Sequence, residues 1–207
     1  KSYAEGTYIS SSSSNAETFF HIRIESDESK VFYFENDALK FEQKFNFGSD
    51  MIIKDISKIT FLNFEAVRKI VSNIDFKKEI FGDELVDSNL LIDEKNKKIK
   101  KKLVYEIASA RIKELAELIL TKNINLKNKL KNTSTLFFEL TDKSHYDSMK
   151  DIYGVFFKTN DLKLNFLDNL STEGVLSNLN KIVQFGWKKE AIPITKAKKP
   201  IITRVFE

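Results

Sequence analysis

The chain has 207 residues (24.0 kDa), 42% hydrophobic and 31% charged, which is enough to bury a core of one or two domains and argues against wholesale disorder. It has no cysteine, so a disulfide framework and thiolate metal sites are excluded; this suits a reducing compartment. A net charge of +4 with both signs interspersed predicts a solvated surface and no nucleic-acid partner, and no apolar run approaches the roughly 20 residues of a membrane span.

Lys1 opens the chain without a signal-peptide pattern, and the sequence reads as a fragment. Ser10 to Ser14 reads as a flexible loop. Thr18 to Ile24 and Val31 to Phe34 are hairpin-like apolar runs, and Phe41, Phe45 and Phe47 continue the alternation of half-buried strands, with Glu35-Asn36-Asp37 as a turn. After Gly48 the period changes. Ile52, Ile53, Ile56 and Ile59 share a helical face, with Ser49 or Asp50 placed to cap the first turn. A second helix is predicted from Asn63 to Ser72 with Phe64, Val67, Ile70 and Val71 inward.

Asp75 to Lys102 is polar, an acidic portion followed by Lys95, Lys97, Lys98, Lys100, Lys101 and Lys102. It reads as a solvated hairpin or loop, or else as a docking patch for an acidic partner. Leu103 to Leu120 repeats Val104, Ile107, Ala108, Ile112, Leu115 and Ile119 at helical spacing. Thr135 to Leu140 and Val155 to Lys158 read as strands around another helix. Thr172 to Phe185 reads as a final amphipathic helix stopped at Gly186. His21 and His145, the only histidines, lack ligand spacing, and no nucleophile elbow or Walker loop is present.

Three segments carry a resemblance. Phe45 to Ile56 places Gly48, Asp50, Ile52, Asp55 and Ile56 on the pattern G-G-D-H-I-T-x-D-I, with Ser49 at the second glycine. Ile107 to Leu115 places Ile107, Ala110, Arg111 and Glu114 on I-I-E-A-R-x-x-E-I. Val183 to Glu190 is similar to the aromatic-glycine-basic end of a last helix. In this order the segments resemble the FtsA family of bacterial cell-division proteins, of the actin-like ATPase superfamily. The resemblance implies an α/β, actin-like (ribonuclease H-like) second domain with a mixed sheet, flanking helices and an inserted subdomain. Residues 1–73 and 132–186 would form subdomain 2A and 74–131 the inserted 2B. A linker would follow over 187–199 and the start of a membrane-targeting helix over 200–207. Subdomains 1A and 1C have no counterpart in this sequence.

The same resemblance puts the phosphate loop D-I-G-G-G-T-T-D where this chain reads Arg23, Ile24, Glu25, Ser26, Asp27, Glu28, Ser29 and Lys30. Arginine stands where the acid would be, no glycine remains, and Glu25, Asp27 and Glu28 would repel a triphosphate. The nucleotide-site positions Arg23, Glu25, Ser26, Asp27, Gly48 and Ser49 are therefore read as degenerate. Leu140-Thr141-Asp142-Lys143 lacks the adenosine-side glycines of L-T-G-G, and Val67 and Ile70 replace an acid and a lysine. No catalytic residue and no metal ligand are expected. ATP and Mg enter only as family cofactors, and the alternative is an active actin-like ATPase or a related pilus-assembly protein.

The implied role is a scaffold that tethers FtsZ polymers to the inner face of the cytoplasmic membrane at the division site, with self-association into filaments as an added property. Arg111, Lys113 and Glu114 would receive the FtsZ C-terminal tail, Arg111 by bidentate pairing with a carboxylate. Ile201, Ile202, Arg204, Val205 and Phe206 would lie in an anionic membrane surface as the apolar and basic sides of a short helix.

Overall fold

The computed structural model describes residues 5, 6, 8, 9, 16–36, 38–76, 82–91, 97–130, 135–141, 143–158, 162–167 and 172–190. Strand alternation sets its centre. Along β1 (Phe19–Ile24), Phe20, Ile22 and Ile24 face one side and Phe19 and His21 the other, and all five are buried. β1 pairs antiparallel with β2 (Ser29–Glu35), which pairs antiparallel with β3 (Ala38–Phe45). Asn36, at φ 51°, turns the chain between β2 and β3, a left-handed position that asparagine tolerates.

On the other side of β1 the sheet continues with β4 (Thr135–Leu140) and then β5 (Lys163–Leu167), each parallel to its neighbour. The order is β3-β2-β1-β4-β5. An antiparallel meander extended by parallel strands needs long crossovers, and helices supply them. Between β3 and β4 run α1 (Asp50–Thr60), α2 (Phe64–Asn73), α3 (Lys101–Ala116) and α4 (Ile124–Leu130), between β4 and β5 runs α5 (Lys143–Phe157), and α6 (Thr172–Glu190) follows β5; α3 widens into a π turn over Glu117–Thr121. The mixed sheet with flanking helices is the expected α/β class.

The larger core lies between one sheet face and the helices. Ile52 and Ile56 of α1, Val67 and Ile70 of α2, Ile107 and Ile112 of α3, and Ile152 and Phe157 of α5 meet Phe20, Ile22, Ile24 and Phe138 there. The segment 74–131, expected to form 2B, sends Val86, Leu91, Val104 and Ile119 into this same core. On the opposite face Phe19, Phe34, Phe137 and Leu167 gather beneath Ile9. Tyr8 lies against α6 so closely that a Cβ on Gly174 would stand 2.4 Å from its hydroxyl oxygen.

Several expectations are corrected. Val155 to Lys158 is not a strand: α5 runs to Phe157, because Met149, Ile152, Tyr153 and Phe157 are spaced for one helical face and all are buried. The neighbouring strand is β5, whose Lys-Leu-Asn-Phe-Leu alternation is too short and mixed to stand out. α6 does not stop at Gly186 but continues to Glu190, four residues into the expected linker; a helix-interior glycine costs only about 1 kcal/mol. Ile59 and Phe64, expected inward, are instead exposed. Among the described residues no helix is long and apolar enough to cross a membrane.

Candidate functional site

β1, the central strand, ends at Ile24, where the turn Glu25-Ser26-Asp27-Glu28 reverses the chain into β2. The turn is closed by the Glu25 amide donating to the Glu28 carbonyl (2.8 Å). The N-terminus of α1 grips it from the side. The Ser49 amide donates to the Glu25 carbonyl (2.9 Å) and the Asp50 amide to the Ser26 carbonyl (2.8 Å). Gly48 permits the approach, since a Cβ there would lie 2.2 Å from the Glu25 oxygen and 2.6 Å from the Ser26 oxygen. Beside it, Thr141 at the end of β4 donates from its amide to the Ile24 carbonyl (3.0 Å).

Glu25, Ser26, Gly48 and Ser49 are thus brought together at one end of β1. Their chemistry runs opposite to a phosphate cradle. Helix N-termini bind phosphate through free amides, yet here the amides from Ser49 to Ile52 all have backbone acceptors, Met51 on Gly48 and Ile52 on Ser49. The expected side-chain cap at Ser49 does not form: its backbone is already helical, its hydroxyl has no partner and it is buried. Asp50 instead pairs with Arg68 of α2 (2.7 Å).

Two acids of the turn, Glu25 and Glu28, are held by two lysines. Lys30 bonds Glu25 (3.2 Å) and also Glu28, and Lys44 bonds Glu28 from β3. The β2–β3 pairing sets Lys30 opposite Lys44, so both ammonium groups reach one carboxylate. Hydrogen bonds from these lysines hold the Glu28 carboxyl down at about 2. Sequence reasoning misses this clamp, because Lys44 meets Glu28 only through strand register. Asp27 and Ser26 stay exposed at the tip. Acids line the turn, and the Ser49 and Asp50 amides are taken up by its carbonyls, so the start of α1 offers a triphosphate no free-amide cradle on this side.

Arg23 does not join this group. Its side chain projects from the second sheet face, where Nε bonds the Glu139 carboxylate (2.7 Å) and a terminal nitrogen bonds Glu5 (2.6 Å), with the guanidinium 5.7 Å from the Phe32 ring centre. His21, fully buried, shares Glu139 through Nε2 at 3.0 Å. Burial pushes the Glu139 carboxyl up, but His21 and Arg23 outweigh it and hold it at about 2. This network belongs to the interior: Arg23 and Glu139 stand opposite each other in the parallel β1–β4 register.

The second candidate group lies on α3. Arg111 donates to Asp55 of α1 (2.5 Å) and to Glu114 (2.6 Å), while Lys113 and Glu114 face solvent and Ile112 and Leu115 face the core. Arg111 is therefore engaged within the fold rather than extended into solvent. The lysine run is also largely absorbed, with Lys100 on Asp83 (2.6 Å) and Lys101 on Glu84 (3.0 Å) across a Leu85–Lys100 bridge. Ile201, Ile202, Arg204, Val205 and Phe206 lie outside the described residues. His145 falls in α5, and no cluster of metal-ligating side chains occurs among the described residues.

No family model matches the chain, and no curated protein matches it. Solved structures do. MreB5 of Spiroplasma citri bound to AMPPNP superposes with a TM-score of 0.53 at 12% identity, covering 90% of this chain and 59% of that one. An archaeal actin homologue, Ta0583, gives 0.52 at 13% identity over 88% and 54%. The ethanolamine utilization protein EutJ from Carboxydothermus hydrogenoformans gives 0.51 at 9% identity over 86% and 53%. The chain has the fold of actin-like ATPases and spans little more than half the length of these structures.

Proposed function

We propose that this chain is the scaffold half of an actin-like protein of the FtsA kind, one that does not turn over nucleotide. One observation carries the reading: the turn that should cradle phosphate is bonded backbone to backbone on α1, and its Glu25 and Glu28 are clamped by Lys30 and Lys44. A fold kept while its nucleotide turn is closed serves best as a rigid carrier of binding surfaces.

On this reading the partner is the C-terminal tail of a tubulin-like FtsZ polymer, received on the solvent side of α3 by Arg111, Lys113 and Glu114. Residues 200–207 contact the anionic inner face of the cytoplasmic membrane, and self-association lines copies into filaments. The FtsA-like motif around Arg111 supports the partner assignment. Arg111 must then share or release Asp55 when a tail carboxylate arrives, so the site is held shut by an internal acid.

The test is fluorescence anisotropy of a labelled FtsZ tail peptide against the chain and an Arg111→Glu variant, with ATP titrated separately. Saturable peptide binding lost in the variant, together with no saturable ATP binding, is the expected result. No peptide binding at low salt would sink the tethering role, and tight ATP binding would sink the closed-turn reading.

A further inference from the structure

The corner between α1 and α2 exposes three apolar residues around Leu62, which is buried. Ile59 is 51% exposed, Phe61 81% and Phe64 53%, all within six positions of one helix–helix connection. Helical periodicity would place Ile59 and Phe64 inward, so their exposure is a feature of how the two helices meet. Side chains exposed this far stand out from the surface rather than lining a groove.

The backbone at the corner is fixed in an unusual form. α1 ends at Phe61 with φ 56° and ψ 28°, the left-handed conformation that glycine or asparagine normally supplies at a helix C-terminus; for a bulky aromatic it is an outlier. Lys97 Nζ donates to the Phe61 carbonyl (2.5 Å), the Ser57 hydroxyl donates to the Leu62 carbonyl (2.5 Å), and Asn63 caps α2 by accepting from the Ala66 amide (2.8 Å). Three hydrogen bonds thus hold out a strained, exposed phenylalanine. Strained backbone positions of this kind recur at binding elements.

The charges around it are mostly of one sign. Lys54 and Lys58 lie one turn apart on α1, and Lys97, with Lys98 next to it in sequence, reaches Phe61 from the segment before α3; Glu65 is the acid at the start of α2. Lys54, Lys58 and Lys98 form no ion pair among the described residues, unlike Lys100 and Lys101 nearby.

We propose that this corner docks on an anionic lipid surface, with Phe61 entering the headgroup boundary flanked by Ile59 and Phe64, and with Lys54, Lys58 and Lys98 at the level of the phosphates. A projecting aromatic with apolar neighbours suits an interface whose apolar layer lies under a polar one, and surface lysines add attraction to anionic headgroups that salt weakens. This contact is separate from residues 200–207, and it does not rest on the FtsA-like reading.

The experiment is co-sedimentation of the full chain with vesicles of phosphatidylcholine alone and of phosphatidylcholine mixed with phosphatidylglycerol. It compares the parent, Phe61→Asn, Lys58→Glu, and each of these in a Phe206→Asp background. Asparagine suits the left-handed backbone, so Phe61→Asn removes the ring without threatening the fold; circular dichroism verifies this. The expected result is binding to the phosphatidylglycerol vesicles that falls about fivefold or more in Phe61→Asn and Lys58→Glu, with the same dependence in the Phe206→Asp background. The proposal is overturned if the parent does not prefer anionic vesicles. It is equally overturned if Phe61→Asn binds as the parent does, if Phe206→Asp alone removes all binding, or if Phe61→Asn changes only self-association in sedimentation equilibrium. Failure here leaves FtsZ-peptide binding untouched, so the two readings are judged separately.

Discussion

Gly48 and Glu25 meet backbone to backbone, with space for no side chain between them: a Cβ on Gly48 would fall 2.2 Å from the Glu25 carbonyl oxygen. The oxygen belongs to a rigid turn rather than a flexible side-chain end, and it already accepts the Ser49 amide. Gly48→Ala must push α1 away from the hairpin and weaken both amide bonds. The expected cost is about 2–3 kcal/mol, measured as a lower urea midpoint with an unchanged slope. Gly82 supplies the contrast, with φ 51° and nothing within 4 Å of where a methyl group would stand. Its alanine variant feels backbone conformation only, about 1 kcal/mol.

Glu139 makes stability depend on acid. Its carboxyl, ordinarily at 4.5, is pushed up by burial and pulled further down by His21 and Arg23 to about 2. A carboxyl depressed by folding stabilises the fold fully above its unfolded value and loses that contribution as pH falls through its folded value. The urea midpoint should therefore drop between pH 4.5 and 2, with Glu139 responsible for at most about 3 kcal/mol. Glu139→Gln should be destabilised at neutral pH, because it leaves Arg23 and His21 short of a partner, and should show a shallower acid decline. A residual slope is expected from Glu28, which titrates in the same window. An acid decline equally steep in Glu139→Gln would show that the buried network does not set the acid limit.

The elements legible in the sequence are those whose signal is local. β1 and β2 are short apolar runs, α1 begins at a glycine turn, and α3 repeats its apolar face over more than four turns. β5 escapes notice because five residues with a single buried position give no period. The end of α5 misleads because Val155-Phe156-Phe157 is as good a strand as a helix until Met149 and Tyr153 are counted with it. At the site, the nearness of Gly48 to residue 25 is implied by the family resemblance and by nothing in composition or periodicity. The clamp on Glu28 and the pairing of Arg23 with Glu139 are not, because each depends on which strands lie side by side and in what register. Arg111 is visible as a functional-type residue, but its engagement by Asp55 emerges only when α1 and α3 are packed together.

That engagement is itself testable. Arg111 and Asp55 are each about a quarter exposed, so solvent screening limits their pairing, and a double-mutant cycle of Arg111→Ala with Asp55→Asn should give a coupling of about 1 kcal/mol. The more telling readout is binding. If Asp55 holds Arg111 against the fold, Asp55→Asn should release the guanidinium and tighten the complex with a carboxylate-bearing FtsZ tail peptide several-fold in anisotropy. Weaker or unchanged affinity would mean that Asp55 positions Arg111 for the partner or that Arg111 takes no part in the contact.

Phe61 offers a substitution whose stability effect runs against ordinary expectation for losing an aromatic ring. Its side chain is 81% exposed, so little apolar burial is forfeited by removing it. Its backbone, at φ 56°, is strained by the Cβ and eased by asparagine, whose short amide bonds locally in the left-handed region. The Lys97 bond to the Phe61 carbonyl involves only the main chain of residue 61 and survives the change. Phe61→Asn should therefore raise stability by about 1 kcal/mol, seen as a Tm a few degrees higher in thermal unfolding. A variant that is more stable yet binds anionic vesicles less would separate the two demands on this position, one from the fold and one from the surface it presents. A fall in Tm would mean instead that the ring packs against the body of the protein, and the corner would lose its claim to be built for display.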